Sequence, residues 1–154
     1  MEWGQAAGVL TRAEAAKHPD DSGDVFRRAI ATREALYRVC RASVDQRTPL
    51  TADLDSLSRE LAAARVHQRL RFARGAFVSE WDQPEALDRI LWAVVRSAAE
   101  FLESPAPAAL WQCPGDDCGW MFLDTSRNHS RQWCQMRICG NRAKVRRFRE
   151  RQDG

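Results

Sequence analysis

The sequence predicts a mainly α fold with a small β element, and three patterns predict it. Apolar side chains recur at three- and four-residue spacing in several stretches. One stretch alternates apolar and polar residues and is broken by a glycine. Four of the five cysteines fall in two short pairs near the carboxyl end. The 154 residues, 44% hydrophobic and 29% charged, have the balance of an ordinary globular chain.

The elements follow in order. Thr11-Arg12-Ala13-Glu14 has the form of a capping box, which predicts a short helix ending at His18-Pro19. A second helix is expected from Asp24, with Phe26, Ala29, Ile30, Leu36, Val39 and Cys40 on its apolar stripe. A third follows Pro49, carrying Leu54, Leu57, Leu61 and Ala64. Arg69–Arg74 alternates, Gly75 interrupts, and Phe77–Trp81 resumes, which reads as a β-hairpin. The longest helix is expected to start at Pro84, capped by Asp82, with the stripe Leu87, Ile90, Leu91, Val94, Val95, Ala98, Phe101 and Leu102. Ser104-Pro105-Ala106-Pro107-Ala108 reads as a short stiff linker. It divides an α-rich domain, residues 1–108, from a second unit, residues 109–154.

Composition excludes some classes. No run of 18 apolar residues exists, so a transmembrane helix is not expected. Met1-Glu2-Trp3-Gly4 does not look like a secretory leader, and the expected location is the cytoplasm. Of 24 cationic side chains only Lys17 and Lys144 are lysine, a bias that points to a GC-rich bacterial genome and makes any single arginine uninformative. Position says more. Residues 126–154 carry nine cations and two anions, whereas residues 1–125 are net acidic. That asymmetry is expected where one end meets a polyanion.

The α-rich part holds no constellation for catalysis. His18 and His67 are isolated, and no phosphate loop or nucleophile motif occurs. Asp53, Asp55 and Glu60 read as a solvated helix face, and Cys40 as a small buried hydrophobe. An enzyme is not expected.

The remaining cysteines are Cys113, Cys118, Cys134 and Cys139. Each pair encloses four residues, and fifteen residues separate the pairs. That spacing lets two short loops aim four thiolates at one tetrahedral Zn2+ ion. Two disulfides are the alternative, disfavoured in a reducing compartment. A unit of this size also needs a staple, because its core is too small to fold it alone. With four thiolates no coordination position stays open for water, so the zinc is expected to be structural. His129 is a weaker ligand candidate. Pro114 and Gly119 frame the first turn, and Trp120–Asp124 can form a strand. A cysteine turn, a hairpin, a second cysteine pair and then a helix make a treble-clef-like finger.

The final helix is expected from Asn141 to about Gln152, with Ala143, Val145 and Phe148 seating it on the hairpin aromatics. Arg142, Arg146 and Arg149 share one face, and Lys144, Arg147 and Arg151 another. Such a helix can neutralise phosphates. One or two cations, among Arg127, Arg131 and Arg142, could instead compensate the thiolate charge.

Three stretches carry a resemblance. Cys118-Gly119-Trp120-Met121-Phe122-Leu123-Asp124-Thr125-Ser126-Arg127-Asn128, Arg131-Gln132-Trp133-Cys134-Gln135-Met136 and Cys139-Gly140-Asn141-Arg142-Ala143-Lys144 closely resemble the bacterial CGNR zinc finger. The family's cysteines fall on Cys113, Cys118, Cys134 and Cys139, and its name-giving motif on Cys139-Gly140-Asn141-Arg142. In that family the finger follows an alanine-rich helical domain called ABATE. Arg33-Glu34-Ala35-Leu36 and Gly75–Trp81 are similar to it. Nothing here resembles the Asn-Thr-containing segment with which ABATE domains begin, so a shortened amino-terminal element is expected.

The resemblance implies a transcription regulator that binds DNA. Asn141 and Arg142 are the candidates for base edges, and Lys144, Arg146, Arg147, Arg149 and Arg151 for phosphates. The α-rich domain would sense a signal or form a homodimer. Two rivals stand beside this: a zinc-stabilised protein-interaction module, and an RNA-binding protein that exposes Trp120, Phe122 or Trp133 for base stacking.

Overall fold

The computed structural model describes residues 23–83 and 86–152. The capping box at Thr11, and Pro84 itself, therefore lie outside the described residues. The elements are α1 (Gly23–Val44), α2 (Thr51–Val66), β1 (Gln68–Ala73), β2 (Ala76–Trp81), α3 (Arg89–Glu103), a 3-10 turn (Ala106–Ala109), β3 (Leu110–Gln112), β4 (Met121–Leu123), a π turn (Met136–Gly140) and α4 (Asn141–Glu150). They cluster into two units. One comprises residues 23–39 and 49–103, and the other residues 40–48 and 104–152. Among the described residues no helix is long and apolar enough to cross a membrane.

The core of the first unit is Ala64, Leu91, Trp92 and Val95, flanked by Ala29, Leu61, Trp81 and Ala86. Trp92 is its centre. The His67 ring stacks on it at 4.2 Å, and Trp81 tilts against it at 5.6 Å. Three aromatic rings at these separations bury far more apolar area than the alanines around them.

Three sequence expectations are corrected here. The buried stripe of α1 is Thr32, Ala35, Val39 and Ala42, not one running through Phe26 and Ile30, which are exposed. At about 100° per residue Ala35 lies opposite Phe26, and the small residues are the ones that allow close packing. The helix after the hairpin starts at Arg89, and α1 is longer. Asp82, expected to cap α3, lies seven residues before its start: its backbone N–H donates to the His67 carbonyl, and its carboxylate pairs with His67 Nδ1 at 3.0 Å and with Arg69. It closes the base of the hairpin instead.

Asp53 and Glu60 are not a solvated face either. Asp53 is only 6% exposed and takes Arg38 Nε at 3.0 Å and Nη2 at 2.6 Å. Glu60 takes Arg28 Nε and Nη2 at 3.0 and 2.7 Å, and the same guanidinium reaches Asp88. One arginine thus ties α1 to α2 and to the turn before α3. Desolvation of these carboxylates is offset by charge-assisted bonds, which is the condition for burying them.

The hairpin forms as read. Arg74 (φ 53°) and Gly75 (φ 80°) make the two-residue turn with both central residues left-handed that matches strand twist. Gln68 faces Trp81 and Phe72 faces Phe77 across the ladder. Beyond Trp81 the same face carries Leu70, Phe72 and Phe77, all exposed.

Candidate metal centre and basic helix

In the second unit, β3 and β4 form a short antiparallel ladder with Trp111 opposite Phe122. The ladder continues one step further, where Cys113 N–H donates to the Trp120 carbonyl at 2.9 Å. Cys113 thus leaves the strand at a fixed angle. The chain then turns tightly, with Cys118 N–H bonded to the Gly115 carbonyl at 3.1 Å. The left-handed residue of this turn is Asp117 (φ 54°). Gly119, expected to supply the bend, takes no left-handed conformation.

The glycine that matters sterically is Gly115. A Cβ there would lie 3.2 Å from both Cβ and Sγ of Cys139 and 3.4 Å from Cβ of Cys118. The second pair comes from an extended segment and a helix start. Cys134 precedes the π turn, and Cys139 sits within it, its N–H bonded to the Gln135 carbonyl at 3.0 Å.

These elements bring the four sulfurs together. All lie within 4.8 Å of one another. Cys134 Sγ is 3.7 Å from the sulfurs of Cys118 and Cys139. A tetrahedron with metal–sulfur bonds of about 2.3 Å has edges of about 3.8 Å, so the donor set fits zinc. A disulfide needs about 2.0 Å, and all five cysteines are free. Phe122 packs on the cluster with Cys113 and Cys139, and Trp133 flanks it. The four cysteines hold one structural zinc ion.

The local electrostatics prepare the thiols unequally. Burial pushes the Cys113 thiol up, but N–H groups of Cys134 and Gly115 aimed at its sulfur bring it down to about 7. The Cys139 thiol is pushed up to about 12, first by its hydrogen bond with the Cys118 sulfur and then by burial. Four thiols this close ionise together only when a cation shares their charge.

The fifteen-residue excursion between the pairs is fastened by Asp124 and Arg131, whose part in it the sequence did not reveal. Asp124 is only 1% exposed. Its carboxylate accepts the Ser126 N–H at 2.9 Å, the Ser126 hydroxyl, and the Arg131 N–H at 3.1 Å. Those bonds, the Ser126 hydroxyl first, hold its pKa below the usual carboxylate range. The Arg131 guanidinium lies 4.5 Å over the Phe122 ring and donates to the carbonyls of Trp133 and Cys134. Asp-x-Ser after a strand was the available signal, since such aspartates bond the backbone two residues on. Arg131 was one of three cations weighed against the thiolate charge, and it is the one beside the ligand Cys134.

α4 follows the π turn without a side-chain cap. Ala143 is buried, but Val145 and Phe148, expected to seat the helix, are exposed. The helix is anchored by Ala143 and by Arg146, which pairs with Asp116 in the first cysteine turn and lies 3.7 Å from Glu150. Arg147 and Arg151 bond backbone carbonyls one turn back, at 3.4 and 3.1 Å. Asn141 donates its Nδ2 to the Arg137 carbonyl at 3.2 Å. Arg142, Lys144 and Arg149 make no hydrogen bond or ion pair among the described residues and face solvent. Of the aromatics considered for stacking, Phe122 is buried and Trp133 half-buried, whereas Trp120 is exposed.

Residues 110–152 match the CGNR zinc finger. No curated protein matches the chain. Residues 1–105, more than half of the chain, match the ABATE family, described as "Putative stress-induced transcription regulator", and the chain belongs to that family.

Proposed function

We propose that this protein is a DNA-binding transcriptional regulator of the cytoplasm, with no catalytic activity of its own. The observation that carries the reading is the placement of Arg142, Lys144 and Arg149. Among the described residues they stand unpaired on a helix that directly follows the π turn holding the zinc ligand Cys139. Cations on a rigid element lose little freedom when they meet phosphates, and the released counterions drive association. Arg147 and Arg151, bonded only to backbone carbonyls, add to the same field.

Arg142 is the freer base-edge reader, because Asn141 must release the Arg137 carbonyl before its amide can pair with adenine. The closed four-thiolate site supports a structural rather than a catalytic metal. The ABATE part would sense a signal or pair with a second copy, for which the exposed Leu70, Phe72 and Phe77 offer an apolar surface.

The test is a fluorescence-anisotropy titration of a labelled random-sequence 20-bp duplex with the zinc-loaded chain and with the chelated chain. Binding that chelation abolishes is expected. Absence of duplex binding by the loaded chain would overturn the reading.

A second reading has an observation in its favour. Trp120 is 69% exposed and Trp111 also faces solvent on the finger ladder, which suits base stacking on single strands. A single-stranded RNA probe in the same titration separates the two, since stronger binding to it than to duplex favours the second.

A further inference from the structure

α4 has an apolar ridge along the middle of its solvent face. Ala143 faces the finger, and at about 100° per residue Val145 points the opposite way. Ile138, in the π turn that precedes the helix, lines one surface groove with Val145, and Phe148 lies beside Val145. They are 46%, 49% and 55% exposed respectively. Arg142, Arg146 and Arg149 run along one side of the ridge, where Arg137 borders the same groove, and Lys144 and Arg151 run along the other. The helix therefore presents a cation row, an apolar centre and a second cation row.

Charge complementarity decides what covers this face. Two cation rows on either side of one helix match the two phosphate strands bordering a major groove about 12 Å wide, which admits a helix of about that diameter. The floor of that groove offers one apolar group, the 5-methyl of thymine. A lipid surface fits less well, because three apolar side chains give a helix little to insert.

We infer that the Ile138–Val145–Phe148 ridge reads thymine methyl groups in the major groove, so that the finger takes A·T-containing duplex DNA in preference to methyl-free duplexes of the same shape. This rests on the DNA-binding reading above, and it adds a specificity determinant made of apolar residues. Val145 is the centre of the contact, and Arg142 and Arg149 flank it within reach of the base edges.

The experiment compares alternating poly(dA–dT) with alternating poly(dA–dU), which differ only by that methyl and present it in every register. The full zinc-loaded chain is titrated against each at one salt concentration. Wild type is expected to bind the thymine polymer about threefold or more tighter, as burying a methyl group or two implies. Val145→Ser, at a solvent-facing position, should bind both polymers with equal affinity while keeping one zinc per chain and its circular dichroism. Phe148→Ser serves as a second variant with the same expectation.

Equal binding of the two polymers by wild type would overturn the inference while leaving DNA binding intact. So would a thymine preference that survives in both variants. Failure to bind either polymer would remove the inference and the DNA-binding reading together. Vesicles of phosphatidylglycerol and phosphatidylcholine that displace the bound polymer in wild type, but not in Val145→Ser, would assign the ridge to lipid and overturn it as well.

Discussion

The backbone N–H of Arg131 donates to the carboxylate of Asp124, seven positions earlier, at 3.1 Å. This bond places the Arg131 guanidinium over Phe122 and against the carbonyl of the zinc ligand Cys134. Asp124 thus positions one wall of the metal centre without touching a sulfur. Asp124→Asn turns one acceptor into a donor facing donors. It is expected to lower zinc affinity by about tenfold, the lower end of what loss of a supporting partner costs. Competition with a chromophoric chelator measures it, and Asp124→Glu should not restore full affinity, because the longer side chain cannot meet the same three donors.

Gly115 carries a steric prediction at the same centre. Gly115→Ala puts a methyl 3.2 Å from the sulfur of Cys139, and a ligand sulfur cannot yield without distorting the tetrahedron. Weaker zinc binding is expected, read by the same competition. Removing zinc altogether should abolish amide-exchange protection across β3, β4 and α4 while α3 keeps its own. The Leu91–Trp92–Val95 core does not depend on the metal.

In the first unit Trp92 has no substitute. Trp92→Ala leaves a void beneath the His67 and Trp81 rings and is expected to cost about 3–5 kcal/mol. Urea unfolding followed by circular dichroism checks the loss. His67→Ala should cost less, because that ring is partly exposed and lies at the rim of the cluster.

Acid should act on the two units in a fixed order. Arg38 holds Asp53 below the usual carboxylate range, and Ser126 and Arg131 do the same for Asp124. A carboxylate whose pKa is lower in the folded state stabilises that state above its unfolded value, about 4, and the contribution is lost as pH falls through the folded value. Zinc leaves earlier, since protons compete for thiolates well above that range. Thermal unfolding between pH 3 and 8 should show the finger failing first and the helical unit failing only below about pH 4. Asp53→Asn should flatten the second decline.

Much of this was legible in the sequence, for different reasons in different places. The cysteine spacing encodes a metal geometry directly, so all four ligands could be named. The Arg74-Gly75 turn and its flanking alternation encode a hairpin in the same local way. The buried face of α1 was legible only in part: Val39 is buried and Ala29 packs on the core as expected. Its large residues Phe26 and Ile30 face solvent, and Thr32, Ala35 and Ala42, which do pack, are too small for hydrophobicity to have marked them. Asp53 and Glu60 looked solvated because their partners, Arg38 and Arg28, lie on another helix. Val145 and Phe148 looked like packing residues because helical spacing does not say which side a neighbour occupies. Asp82 read as a helix cap because its bonds to His67 and Arg69 join positions far apart in sequence.

The most direct test of a zinc-organised helix that meets DNA is the salt dependence of duplex affinity. With Arg146 held by Asp116, five cations remain for phosphates: Arg142, Lys144, Arg147 and Arg149 of α4, and Arg151 just after it. The logarithm of affinity against the logarithm of salt concentration is therefore expected to fall with a slope of about −4 to −5. Replacing Arg142, Lys144 and Arg149 together with alanine should bring that slope about three units closer to zero. A slope unchanged in the triple variant, or near zero in wild type, would contradict the placement of DNA on this helix.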